Sequence, residues 1–119
     1  MKHSFINSVR CSFNGLSHVI KKERNFKIQV MSAVVVLFLG WEAKLNRTEW
    51  AILLLTIAFI LCMELFNTCI EKIMDLVHPH YSEKVKIIKD IAAGAVVLAC
   101  LFTIAIGSFL FYKLYQLHF

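Results

Sequence analysis

Proline is almost missing from this chain: 119 residues contain one, Pro79, and only four glycines. So few breakers leave the backbone free to run in long helices and deny it the turns an all-β architecture needs. Cysteine is scarce and unpaired in sequence. Cys11, Cys62, Cys69 and Cys100 form no C-x-x-C, and three of them sit within or beside apolar runs. They read as small hydrophobes rather than as a disulfide framework or a zinc site. No G-x-x-x-x-G-K-[ST] occurs, so a nucleotide site here is not a P-loop. Nothing supports a Ser-His-Asp arrangement. The N-terminal charges are spread over residues 2–27, and no small-residue cleavage site follows an apolar stretch, which argues against a secretory signal.

Charge is also in short supply. Only 18% of residues are charged against 59% hydrophobic, and the mean hydropathy is +0.68. A soluble domain this small cannot cover so much apolar surface, so the chain is expected to be one integral membrane domain of the all-α class. The net charge of +5 does not point to nucleic acid. Its basic residues flank apolar runs instead of forming a surface with interleaved aromatics, a pattern that suits a bilayer with anionic headgroups.

What is present divides into four segments. In residues 4–20, SFINSVRCSFNGLSHVI, the apolar Phe5, Ile6, Val9, Phe13, Leu16, Val19 and Ile20 share one broad helical face. Asn7, Arg10, Asn14 and His18 lie opposite, as in an amphipathic helix lying in a membrane interface. Packing on a soluble core is the alternative, but the rest of the chain offers no such core. Three spans follow, at about residues 26–43, 50–72 and 91–112. The first is long enough only if Phe26, Ile28 and Gln29 lie in the membrane or at its boundary. The loop EAKLNRTE (42–49) joins spans one and two, and a longer linker from Lys72 to Asp90 carries HPH (78–80) and separates spans two and three.

Ten of the basic residues fall before span one or between spans two and three, while only Lys44, Arg47 and Lys113 fall on the other side. The N-terminus and the second loop are therefore expected in the cytoplasm, with the C-terminus outside.

The stretch MELFNTCIEKIMD (63–75) breaks the apolar pattern. With Glu64 at 0° and ~100° per residue, Asn67 falls at ~300°, Glu71 at ~340° and Asp75 at ~20°. These four make a stripe ~80° wide and ~16 Å long, bordered by Thr68 at ~40°. Lys72 projects at ~80°, outside it. An acidic residue in a span costs ~2.5–3.5 kcal/mol at the helix centre, and less nearer the end where Glu64 lies. Three aligned acids repel one another, and no lysine or arginine occupies the stripe, so a divalent cation is the simplest partner. Mg²⁺ favours oxygen ligands of this kind. Glu71 and Asp75 taken singly read as a solvated helix end; Glu64, within a span, is a functional candidate. Glu23 before span one and Lys89 and Asp90 before span three should gather at the same depth. Carboxylates for metal, another for a base and a lysine for phosphate suit phosphoryl transfer from a nucleotide.

Weaker candidates read as structure. His78 and His80 flank a proline and read as loop residues, and the small residues 92–95 favour close helix packing over phosphate binding.

ELFNTCIEKIMD (64–75) resembles the signature of the prokaryotic diacylglycerol kinase family, E-x-x-N-[ST]-x-[IV]-E-x-x-x-D. KIIKDIAAGAVVL (86–98) is similar to that family's second block, K-D-x-A-[AS]-[GA]-A, and ERNF (23–26) most resembles its undecaprenol kinase branch. The resemblance covers nearly the whole chain and is loosest over the N-terminal helix, where Ser12 and Gly15 carry it. It implies a homotrimer in the bacterial inner membrane, with sites assembled between subunits, that moves the γ-phosphate of ATP onto a lipid hydroxyl. Glu64 would be the general base and Asn67 would orient it. Glu23 and Glu71 would hold Mg²⁺, and Glu71, Asp75, Lys89 and Asp90 would meet the nucleotide. Ser12 and Glu64 would meet the lipid, with undecaprenol favoured over diacylglycerol. The competing expectation is a small non-enzymatic membrane protein using the stripe for ion passage or subunit assembly. Ion passage would want polar groups through the whole bilayer, yet span one has only Ser32 after Gln29, and span three only Thr103 and Ser108.

Overall fold

The computed structural model describes residues 4–118. Four helices follow in order: α1 (Phe5–Lys22), α2 (Arg24–Glu42), α3 (Arg47–Val77) and α4 (Glu83–His118). There is no strand among the described residues, as the all-α expectation requires. α2, α3 and α4 are each long and apolar enough to cross a membrane. At 1.5 Å per residue the 31 residues of α3 and 36 of α4 extend ~46 and ~54 Å, well beyond a hydrocarbon core of ~30 Å. Both helices therefore protrude into water.

Local chemistry sets the boundaries. Ser4 caps α1, its side chain accepting from the Asn7 amide at 3.2 Å, and Lys21 and Lys22 lie in the last turn, where the helix dipole favours cations. Asn46 and Glu49 form a reciprocal capping box at the start of α3, at 2.9 and 3.0 Å. The tight turn before it places Lys44 at φ 54. Phe5, Ile6, Phe13 and Ile20 on α1 are exposed, leaving an apolar face for the interface.

The break between α3 and α4 is shorter than the sequence implies. The sequence reading gives Lys72 to Asp90 to the linker, whereas helix continues through Val77 and resumes at Glu83. Lys72, Asp75, Lys86 and Lys89 mark the exit from the membrane, but a charged residue does not end a helix. Pro79 does: it cannot continue the amide ladder, and it pushes the residue before it out of the helical region. His78 supports the loop, its ring Nδ1 lying 2.9 Å from the His80 carbonyl oxygen.

α4 packs chiefly along α3, α2 lies against α3, and α1 packs on α2. The buried apolar cluster of Ala43, Leu45, Leu53 and Leu110 gathers at one end of the bundle. Lys113 of α4 and Glu49 of α3 pair there at 2.5 Å. Lipid tails are as apolar as leucine, so close approach rather than hydrophobic exclusion holds such helices together. Gly40 permits that approach: a Cβ there would meet the Trp50 ring at 3.0 Å, Leu53 Cδ2 at 3.1 Å and Leu45 Cδ1 at 3.3 Å. Alanine would trade this crowding against ~1 kcal/mol of helix propensity, so valine is the cleaner probe. Gly40→Val is expected to lower stability by ~1–3 kcal/mol through overpacking. A thermal-aggregation midpoint in detergent reads this, and an unchanged midpoint would show that the contact holds nothing.

Candidate active site

At the opposite end of the bundle the packed side of α3 is polar. Three of its four buried residues are Glu64, Asn67 and Thr68, at 4%, 7% and 4% exposure, in a protein whose apolar residues mostly face outward. The helical stripe thus turns toward the neighbouring helices and away from lipid. Gln29 of α2 donates from Nε2 to Glu64 Oε2 at 3.3 Å. One turn further along α3, Asn67 Nδ2 donates to Glu71 Oε1 at 3.3 Å. Glu64 and Glu71 lie about two turns apart on α3, and Lys72, next to Glu71, reaches Glu23, so carboxylates from two parts of the chain share one region.

Nearer the water the acids are paired. Lys89 of α4 reaches Asp75 of α3 at 2.6 Å, Lys86 and Asp90 pair at 2.7 Å within α4, and Lys72 of α3 reaches Glu23 at 3.1 Å. A cation missing from the stripe therefore comes from α4 for Asp75, while Lys72 of α3 meets Glu23, which lies off the stripe. Ser12 stays apart from this network: it is exposed on α1, and its hydroxyl donates to the Ser8 carbonyl in the same helix.

Two acceptors stand out. Gln29 Oε1 and Asn67 Oδ1 are buried and have no hydrogen-bond partner. An unmet buried acceptor costs ~1–3 kcal/mol, so this end of the bundle is prepared for donors that it does not itself supply.

Two cavities of opposite character adjoin the stripe. An apolar groove of about 450 Å³ runs between α2, α3 and α4, and Gln29 forms a polar point in its lining beside Ser32, Leu53, Ile60 and Thr103. A polar hollow of about 340 Å³ lies at the water-facing end, lined by Asp75, His78, Tyr81, Lys86, Lys89 and Asp90. Asp75 of the stripe lines the hollow, and Gln29, bonded to Glu64, lines the groove.

A resident divalent cation is tested by the donors present. Among the described residues no three His, Cys, Asp or Glu side chains converge on a point that could hold a metal. Glu23 and Glu71 nevertheless offer carboxylate oxygens in one region. Mg²⁺ is commonly held by one or two carboxylates together with nucleotide phosphates and water, so the donor set fits a cation that arrives with its nucleotide.

Gln29 and Lys72 are the participants that periodicity alone misses. Gln29 reads in sequence as a boundary residue of a short span; its one distinguishing mark is a lone amide in an apolar run. Lys72 falls outside the stripe on a single-helix projection, and its partner Glu23 lies in the link between α1 and α2.

The fold and this network define an integral membrane protein with a carboxylate-rich site at one end of a three-span bundle. Residues 10–111 match the sequence model of the prokaryotic diacylglycerol kinase family, and the chain belongs to that family. It is 36% identical to a diacylglycerol kinase of Synechocystis over 85% of its own length and 58% of that protein's. It is 34% identical to an undecaprenol kinase of Bacillus subtilis over 91% of its own length and 85% of that protein's. A diacylglycerol kinase of Haemophilus influenzae is 25% identical over 90% of this chain and 92% of that protein. The chain thus spans little more than half of the Synechocystis relative and most of the other two.

Proposed function

We propose that this protein is a membrane lipid kinase that moves the γ-phosphate of ATP onto a lipid hydroxyl, with undecaprenol as its preferred acceptor and diacylglycerol as the second candidate. The observation that carries the reading is the buried Glu64, bonded to Gln29 at 3.3 Å, on a stripe joining an apolar groove to a polar hollow. The groove suits a lipid chain. The hollow, with Lys89 and Lys86 in its lining, suits a triphosphate. Of the two matches that cover most of both chains, the undecaprenol kinase is 34% identical and the diacylglycerol kinase 25%, which supports that acceptor.

In this mechanism Glu64 accepts the hydroxyl proton while the lipid oxygen bonds to the γ-phosphorus. The bond from that phosphorus to the β,γ-bridging oxygen breaks, and ADP leaves. Gln29 orients Glu64, Asn67 orients Glu71, and Lys89 carries positive charge to the phosphates, with Asp75 and Asp90 beside it. A Mg²⁺ ion held by Glu23 and Glu71 would neutralise phosphate charge when bound. Ser12 is assigned to the lipid headgroup on α1. The active site faces the cytoplasm, the side with most of the basic residues, and the chain works as a homotrimer, which crosslinking in detergent would count.

Transfer of radiolabelled γ-phosphate from MgATP by the purified protein in mixed micelles tests the reading, with undecaprenol and diacylglycerol offered in parallel. Label in undecaprenol above diacylglycerol is expected. Label in neither lipid, from folded protein, would overturn the proposal.

A further inference from the structure

Lys72 stands outside the acidic stripe, yet it holds the one carboxylate of the proposed cation site that comes from another part of the chain. Its Nζ lies 3.1 Å from Glu23 Oε1. Glu23 occupies the extended link between α1 and α2, at φ −103 and ψ 112, ending one helix and capping the next. An aspartate at a helix N-cap commonly accepts from the first-turn amides. Glu23 makes no such side-chain bond. Its carboxylate is turned instead to the ammonium on α3. Glu71, the other proposed ligand, is held differently, by an amide bond from Asn67.

We propose that Lys72 is a displaceable counter-ion of the cation site: it pairs with Glu23, yields it when the nucleotide's divalent cation arrives, and so sets the cation concentration at which the site loads. This rests on the reading of Glu23 and Glu71 as the cation's ligands. Glu23 needs a counter-ion until that cation arrives, because Lys72, next to Glu71 on α3, brings it to a region that already holds Glu71 and Glu64. Exposure decides that the contact is displaceable and not a lock. The Lys72 side chain is 53% exposed and that of Glu23 29%, so the released ammonium passes directly into water. Pairs in such settings are weak, whereas a buried pair would resist exchange. A carboxylate oxygen bonded to an ammonium is also a poorer ligand for a hard cation, so the two partners compete for Glu23.

The test is Mn²⁺ binding to the full-length protein in micelles, read by electron paramagnetic resonance with a non-hydrolysable ATP analogue and no lipid acceptor. Lys72→Met is expected to bind Mn²⁺ about three- to fivefold more tightly than the parent, the size of a weak surface pair removed. Glu23→Gln should bind it more weakly, and adding Lys72→Met to that variant should give no further tightening. Unchanged or weaker binding by Lys72→Met alone would overturn the proposal and make Lys72 a positioning group for Glu23. If the parent and Lys72→Met both bind no Mn²⁺ with the analogue present, the assignment of Glu23 and Glu71 itself fails, and the proposal falls with it.

Discussion

Glu64→Gln is expected to lower lipid phosphorylation by ~10²–10⁴-fold, the usual contribution of a positioned general base, while leaving the bundle folded. Glutamine keeps the shape of the side chain and an oxygen that still accepts from Gln29 Nε2, the 3.3 Å bond that now orients the carboxylate. What it loses is the ability to take a proton. Removing one of three neighbouring negative charges also relieves repulsion, so the variant should melt no earlier than the parent. Label transfer to lipid, with the unfolding midpoint measured on the same preparation, checks both halves. Activity within tenfold of the parent would remove Glu64 from the role of base. A collapse of the midpoint or of assembly would favour the competing expectation, in which the stripe holds subunits together.

The second large effect is expected at Lys89. Lys89→Met should lower kcat/KM for ATP by ~10–150-fold, which corresponds to the ~1.5–3 kcal/mol of one charge-assisted hydrogen bond. The parent side chain lies 2.6 Å from Asp75, linking α4 to α3 beside the polar hollow. Its removal withdraws a phosphate cation and also leaves Asp75 unneutralised where a triphosphate would enter. The second contribution is separable. Asp75→Asn placed on Lys89→Met should recover part of the loss if repulsion matters, and none if only the lost cation does. Lys89→Arg keeps the charge and should lose less. Steady-state kinetics at saturating lipid, varying ATP, distinguishes these outcomes, and an unchanged kcat/KM would reduce Lys89 to a tie between helices.

The stripe was legible in sequence because helical geometry is local. Residues 64, 67, 71 and 75 must share a face once the segment is helical, and the structure buries Glu64 and Asn67 and half-buries Glu71 on the packed side of α3. The three membrane-length helices followed just as directly from apolar length. What periodicity could not show is which helix answers which. The stripe has no cation of its own, which argued for a divalent ion alone, but Lys89 supplies Asp75 from 14 residues away. Gln29 reaches Glu64 across 35 residues. Both contacts depend on how α2 and α4 are rotated against α3, and no single-helix projection contains that angle. The linker was overdrawn for a related reason: charge records where a chain meets water, whereas the end of a helix records where its backbone bonding stops.

The two ends of the bundle are joined by different means. At one, Gly40 lets α2 press against Trp50 and Leu53, and Ala43, Leu45 and Leu110 close the packing. At the other, the ties between elements on the water side are ion pairs open to solvent. A tilt of α3 about the Gly40 end would act over most of the length of that helix. Leu53 and Asp75 are ~33 Å apart along α3 at 1.5 Å per residue, so a tilt of about 5° carries Asp75 through ~3 Å, the length of a hydrogen bond. A tilt of that size would part Asp75 from Lys89 without any helix unwinding.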